Sequence, residues 1–181
     1  MLNKMETETN PIEILEGDIT VYVADAIVIP ATPRLQYHGI GIQQRIAKRG
    51  GTGIFYELEQ VGTSYARAHY SQMKKWEKTV SKVPPCSAHL TNAGTLPPRY
   101  IIHAVAMDFD ENGVYFSEQI LRRTVQNSLH LAASRNFVSL GFCPLGDGSL
   151  QSRLEPIFVE EFRIALSKNT SIKKLALVFD K

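Results

Sequence analysis

Ala26-Ile27-Val28-Ile29-Pro30, followed after a short loop by Gly39-Ile40-Gly41-Ile42, is the passage on which the fold turns. Four consecutive apolar residues leave no alternating polar face. Residues 26–29 therefore predict a strand covered on both sides, stopped by Pro30. The glycines make a turn, and residues 42–49 then carry a helical pattern closed by Gly50-Gly51. A buried strand, a glycine turn and a helix in that order open an α/β unit, where ligands meet strand ends and helix N-termini.

The same rhythm continues in both directions. Residues 12–15 predict a short strand punctuated by Gly17-Asp18, and residues 54–61 a second helix. Residues 88–91 and 100–105 predict strands on either side of Leu96-Pro97-Pro98. Ser117 is placed to cap an amphipathic helix whose apolar positions include Ile120, Leu121, Val125, Leu129 and Ala132. A strand at 137–142, a glycine-bearing loop at 144–150, a helix at 154–166 and a strand at 175–179 complete the alternation. Continuous apolar strands alternating with helices predict a sheet covered on both faces. Three loops then stand at strand ends: Gly17-Asp18, residues 30–41 and residues 144–150. No repeat, low-complexity tract or Pro/Gly-rich linker divides the chain, so residues 1–11 read as a flexible arm and 12–181 as a single domain.

Composition bounds the function. The 181 residues are 44% hydrophobic and 21% charged with a formal net charge of +2, ordinary for one globular domain with no global drive toward nucleic acid or membrane. No apolar run approaches the roughly 20 residues of a bilayer span. The polar N-terminus has no signal-peptide h-region. Cys86 and Cys143 lie in or beside apolar runs, which suits buried thiols in a reducing cytoplasm. No Cys/His cluster has zinc-ligand spacing, and no metal or cofactor is expected. Residues 64–85 stand apart: Arg67, Lys74, Lys75, Lys78 and Lys82 face the single acid Glu77, with Tyr65, Tyr70 and Trp76 interleaved. That mixture suits phosphate attraction with base stacking, hence RNA. A solvated amphipathic helix is the reading preferred.

Five motifs in register resemble the macro domain family. Gly17-Asp18-Ile19-Thr20 resembles its GDIT-type turn, and Asp25-Ala26-Ile27-Val28 its DAIVNAAN-type strand. Gly39-Ile40-Gly41-Ile42 with Ile46 and Gly51 resembles its glycine-rich loop and first helix. Thr91, Leu96-Pro97 and Arg99 through Val105 resemble its central LP-x-x-YVIHAV strand. Ser139 through Gly148 resemble its second phosphate loop. The resemblance implies a three-layer α/β/α sandwich with a mixed, mostly parallel six-stranded sheet. It also implies a cleft for ADP-ribose or an ADP-ribosyl group, as carried by an ADP-ribosylated protein.

The resemblance also assigns residues. Asp18, with its neighbour Ile19, would accept the adenine N6 amine; the bland reading of Gly-Asp is an Asx turn or helix cap. Gly39, Ile40, Gly41 and Ile42 would bring backbone N–H groups and a helix dipole to a phosphate. Leu145, Gly146, Gly148, Ser149 and Leu150 would form the second anion loop. Within it, Asp147 sets a carboxylate near the diphosphate and weakens the site wherever it faces the ligand. An aromatic usually sits where Leu150 does. Phe179 would pack beside the adenine, or serve simply as an edge Phe, and Asp180 could meet the ribose. His103, inside a strand, reads as a structural histidine, whereas His38 adjoins the glycine loop.

Catalysis is less legible. Hydrolysing members hold the distal ribose with an asparagine in the NAAN-type loop. Here that loop reads Ile29-Pro30-Ala31-Thr32, so Ala31 and Thr32 line the position and a hydroxyl replaces an amide. No general base is evident in the loop. Thr32 and Asp147 are the catalytic candidates, with Lys48 and Asp147 as raw material for an acid–base pair. The expected function is ADP-ribose binding. The alternatives are a divergent ADP-ribosyl hydrolase or ADP-ribose 1″-phosphate phosphatase, and RNA or poly(ADP-ribose) binding through residues 64–85.

Overall fold

The computed structural model describes residues 10–75, 78, 81–146, 153–168 and 170–180. In chain order the elements are β1 (Ile12–Glu16), a 3-10 turn (Ile19–Val21), β2 (Ala26–Pro30), α1 (Gly41–Gly50), α2 (Gly53–His69), β3 (Ala88–Asn92) and β4 (Tyr100–Ala104). A hairpin of β5 (Asp108–Asp110) and β6 (Gly113–Tyr115) follows, then α3 (Glu118–Ser134), β7 (Ser139–Phe142), α4 (Leu154–Ser167) and β8 (Lys174–Phe179).

Six strands form one sheet in the order β1-β8-β7-β2-β4-β3. Every pairing is parallel except β3 with β4, so the sheet is mixed and mostly parallel. The strand period of two divides β2 between two cores. Ala26 and Val28 pack with Leu121, Val125 and Leu129 of α3 and with Phe158 and Phe162 of α4. Ile27 and Ile29 pack with Ile46 of α1 and with Ile54, Phe55 and Leu58 of α2. Each aliphatic side chain buried this way contributes about 1.5–3 kcal/mol against exposure. The result is the expected α/β/α sandwich, with α1 and α2 on one face and α3 and α4 on the other.

The expected strands all form. Just before β1, the Pro11 carbonyl accepts from the Leu175 amide at 2.8 Å, stitching Pro11 to β8. Residues 1–9 of the expected arm lie outside the described residues. Ser117 caps α3 through its hydroxyl, which accepts from the Ile120 amide at 3.2 Å. Two features depart from expectation. Helix α2 runs on past residue 61 to His69 through Gly62, where a Cβ would lie 3.2 Å from the Leu35 side chain. The β5–β6 hairpin has no counterpart in the sequence reading. Its strands are three residues each, too short to show a period, and Asp110 and Gly113 flank a tight turn of the Asp-x-x-Gly type.

Candidate functional site

The parallel strands β1, β8, β7, β2 and β4 all end on one edge of the sheet. Strand spacing of about 4.8 Å makes that edge roughly 19 Å long from β1 to β4. Along it stand, in order, Asp18 after β1, Phe179 and Asp180 at the end of β8, Cys143 through Gly146 after β7, residues 31–39 after β2, and Met107 after β4. The described residues of the three loops singled out in the sequence thus line one side of the molecule, and α1 rises from its middle.

At the first end, Asp18 is the N-cap of the 3-10 turn. Its Oδ1 accepts from the Thr20 amide at 2.9 Å and from the Thr20 hydroxyl at 2.7 Å. Its Oδ2 lies 3.3 Å from Arg49. Partial burial works against the charged form, but the Thr20 bonds and the charges of Arg49 and Arg45 prevail, holding the carboxyl below its ordinary range. The helix-cap reading of Asp18 is therefore realised, and Oδ2 remains on the Arg49 side. Ile19 is 3% exposed and belongs to the α1/α2-face core, so its side chain forms floor rather than contact surface. Phe179 packs at the margin of the opposite core and stays partly exposed. Asp180 pairs with Arg45.

In the middle, Gly39 and Gly41 adopt φ of +69° and +56°, which a side chain would strain. Nothing lies within 4 Å of where a Cβ would sit on Gly41, so the space above its backbone is open. Ile40 is the N-cap of α1, extended and without a side-chain hydrogen bond to the helix, so it supplies no cap to the first amides at the positive dipole end. Ile42 is half-buried against the α1/α2-face core. Across the edge, Leu145 is buried in the α3/α4-face core and Gly146 takes φ +106°. Asp147, Gly148, Ser149 and Leu150 lie outside the described residues, and with them the pairing considered for Lys48.

At the far end, Ala31 is buried and its amide donates to the Ala104 carbonyl at 2.9 Å, tying the loop to β4. Thr32 Oγ1 lies 3.1 Å from His38 Nε2. The His38 amide donates at 2.9 Å to Oε1 of the buried Gln43, so α1 itself holds the loop that carries the pair. The sequence reading found no base in this loop; the structure puts an imidazole on the threonine hydroxyl.

Other residues were not anticipated. Arg45 and Arg49, four apart on α1, both face the sheet edge and meet the acids that follow β8 and β1. The i,i+4 spacing was the available signal; their partners are remote in sequence. Cys143 sits beside Arg45 and Asp180, and burial pushes its thiol up to about 12. It and Cys86 are free. His103 is wholly buried, as expected of a structural histidine. Thr91 Oγ1 lies 2.9 Å from His103 Nε2 and 3.0 Å from the Asn92 carbonyl oxygen. Burial holds this imidazole down at about 3. In the basic segment, Tyr65 stacks on His69 at 4.1 Å and Lys78 Nζ lies 3.9 Å over the Tyr70 ring. One face of each ring is engaged within the chain, and Tyr70 stays 60% exposed; Trp76 and Glu77 lie outside the described residues. Among the described residues no helix is long and apolar enough to cross a membrane.

These features define an α/β/α module with a ligand edge built from glycine turns. The chain belongs to the macro domain family, whose model matches residues 29–156. A Klebsiella pneumoniae protein named O-acetyl-ADP-ribose deacetylase is 30% identical over 136 residues, 75% of this chain and 68% of that protein. An uncharacterized protein of Sulfurisphaera tokodaii is 28% identical over 137 residues, 76% of this chain and 64% of that one. The chain thus spans about two thirds of the length of these curated relatives. Among solved structures, a Trypanosoma brucei macrodomain in complex with ADP superposes with a TM-score of 0.71 at 22% identity, covering 94% of this chain and 64% of that one. The Oceanobacillus iheyensis macrodomain with ADP gives 0.71 at 20% identity, covering 93% and 82%.

Proposed function

We propose that this protein binds ADP-ribose, free or attached to a protein, along the carboxyl edge of its sheet. One observation carries the reading. The strand order puts an acceptor for an amine (Asp18), a helix N-terminus without a side-chain cap and with open space above Gly41, and a hydroxyl–imidazole pair (Thr32 and His38) in a single row. That row matches adenine, diphosphate and distal ribose in sequence. The relatives support it: one is named for an ADP-ribose ester, and related folds have been crystallised with ADP or ADP-ribose. Residues 12–181 act as the binding domain, and two free thiols suit a cytoplasmic setting. RNA or poly(ADP-ribose) binding at residues 64–85 is not favoured, since Tyr65 stacks on His69 and Lys78 already covers one face of Tyr70. Calorimetric titration with ADP-ribose, AMP and GMP tests the proposal. ADP-ribose should bind best and GMP worst; equal binding of AMP and GMP, or silence with ADP-ribose, would remove it.

A second reading rests on the Thr32–His38 contact. The imidazole can take a proton from the threonine hydroxyl or from a water beside the distal ribose, which would make the protein a divergent hydrolase of ADP-ribosyl esters. His38→Gln should then abolish turnover of O-acetyl-ADP-ribose, with a far smaller loss of ADP-ribose affinity. Wild-type protein without turnover would leave a pure binder.

A further inference from the structure

Beyond Thr32 and His38 the edge does not end in solvent. The β5–β6 hairpin stands opposite that loop, and the two enclose an open cavity of about 570 Å³. Pro33 and Met107 line its base, and Phe109 and Val114 form its hairpin wall. Phe109 is anchored at 8% exposure, whereas Val114 is 54% exposed, so apolar surface is presented to an occupant. The hairpin is held in shape by Asp110, whose Oδ1 accepts from the Asn112 amide at 2.7 Å, the Gly113 amide at 3.2 Å and the Tyr115 hydroxyl at 3.0 Å. Two carboxylates of the hairpin, Asp110 and Glu111, line the chamber against Arg34 on the opposite wall.

We infer that this chamber receives the polypeptide to which the ADP-ribosyl group is attached, and that it favours acceptor segments with basic residues beside the modified side chain. The inference rests on the ADP-ribose reading above. Three observations give it direction. The chamber shares Thr32 and His38 with the distal end of the row, so whatever the distal ribose carries enters it. Its volume suits several side chains, well beyond a small acyl group. The excess of carboxylates on its rim attracts cations and repels the diphosphates of a poly(ADP-ribose) chain, which would otherwise be the rival occupant.

Titrations with free ADP-ribose, with peptides ADP-ribosylated on a serine flanked by lysines or by glutamates, and with a short poly(ADP-ribose) oligomer test this. Affinities are taken as ratios to ADP-ribose on the same protein. The lysine-flanked peptide should bind roughly three- to tenfold tighter than the glutamate-flanked one at low salt, the gap closing as salt rises. Glu111→Lys should shrink or invert that ratio. Equal ratios for both peptides, or tightest binding of the oligomer, would overturn the inference while the ADP-ribose reading stands. Failure of ADP-ribose itself to bind would remove both. The peptide comparison is made on wild-type protein, so it decides the matter even where the variant misfolds.

Discussion

Two of the Asp18 lone pairs are committed to Thr20 through Oδ1, and Oδ2 faces Arg49. An incoming amine therefore finds its acceptor on Oδ2, shared with a guanidinium that is half exposed and free to swing. The two duties of this carboxylate separate by substitution. Asp18→Ala removes both the turn cap and the amine acceptor, so it should cost about 1 kcal/mol of stability and about 1–3 kcal/mol of ADP-ribose binding. Asp18→Asn keeps one carbonyl oxygen for Thr20 but turns an NH₂ toward the amine and toward Arg49. It should lose comparable affinity with less loss of stability. Urea midpoints and calorimetry on both variants check the split; equal affinity in Asp18→Asn and wild type would show that the carboxylate does not touch the ligand. The role of Asp18 in a strand-end turn was legible from Gly-Asp alone. Its Arg49 partner was not, because the contact is made only when α1 is laid against the sheet edge.

At the scale of elements, apolar runs long enough to show their period announced themselves, and what depends on close approach did not. Continuous runs such as Ala26 through Ile29 can only be buried strands, and the amphipathic repeat of α3 can only be a helix on a sheet. The β5–β6 hairpin was hidden by its shortness. Gly62 sits inside α2 as a close contact with Leu35 and Lys82. The same logic gives Gly94 its importance. It takes φ +59°, and a Cβ there would lie 1.9 Å from the Gly50 carbonyl oxygen, where α1 ends. Around it Thr95 donates to the Gly50 carbonyl through its amide at 3.2 Å, and to the Arg49 carbonyl through its hydroxyl at 2.7 Å. The β3–β4 turn is thus the clamp on the C-terminal end of α1, the helix that carries Arg45 and Arg49. Gly94→Ala should destabilise the protein by more than about 2 kcal/mol, from the left-handed backbone and the backbone clash together. A denaturation midpoint unmoved by this change would mean the clamp is slack.

For the whole molecule, pH acts through two histidines that face each other across the antiparallel pair β3 and β4. Burial lowers His103 to about 3, with a smaller contribution from His89, and burial lowers His89 to about 4. Both are neutral in the folded protein well below the ordinary histidine value of 6.5. Between 6.5 and those values the unfolded chain binds protons that the folded chain refuses, so stability is full above 6.5 and falls as pH drops toward 3. The slope reaches at most roughly 1.4 kcal/mol per pH unit for each histidine. Asp18, with its carboxyl held low, adds a loss only below its ordinary 3.8, at the acid end of the histidines' window. Acid sensitivity should therefore begin near pH 6, above the window in which Asp18 contributes. His103→Gln should be less stable than wild type at neutral pH, since the Thr91 contact is remade imperfectly, yet show a shallower fall between about pH 6 and 4. Denaturant midpoints measured across that range decide it. Parallel curves for the two proteins would mean that His103 is not the group through which protons reach the fold.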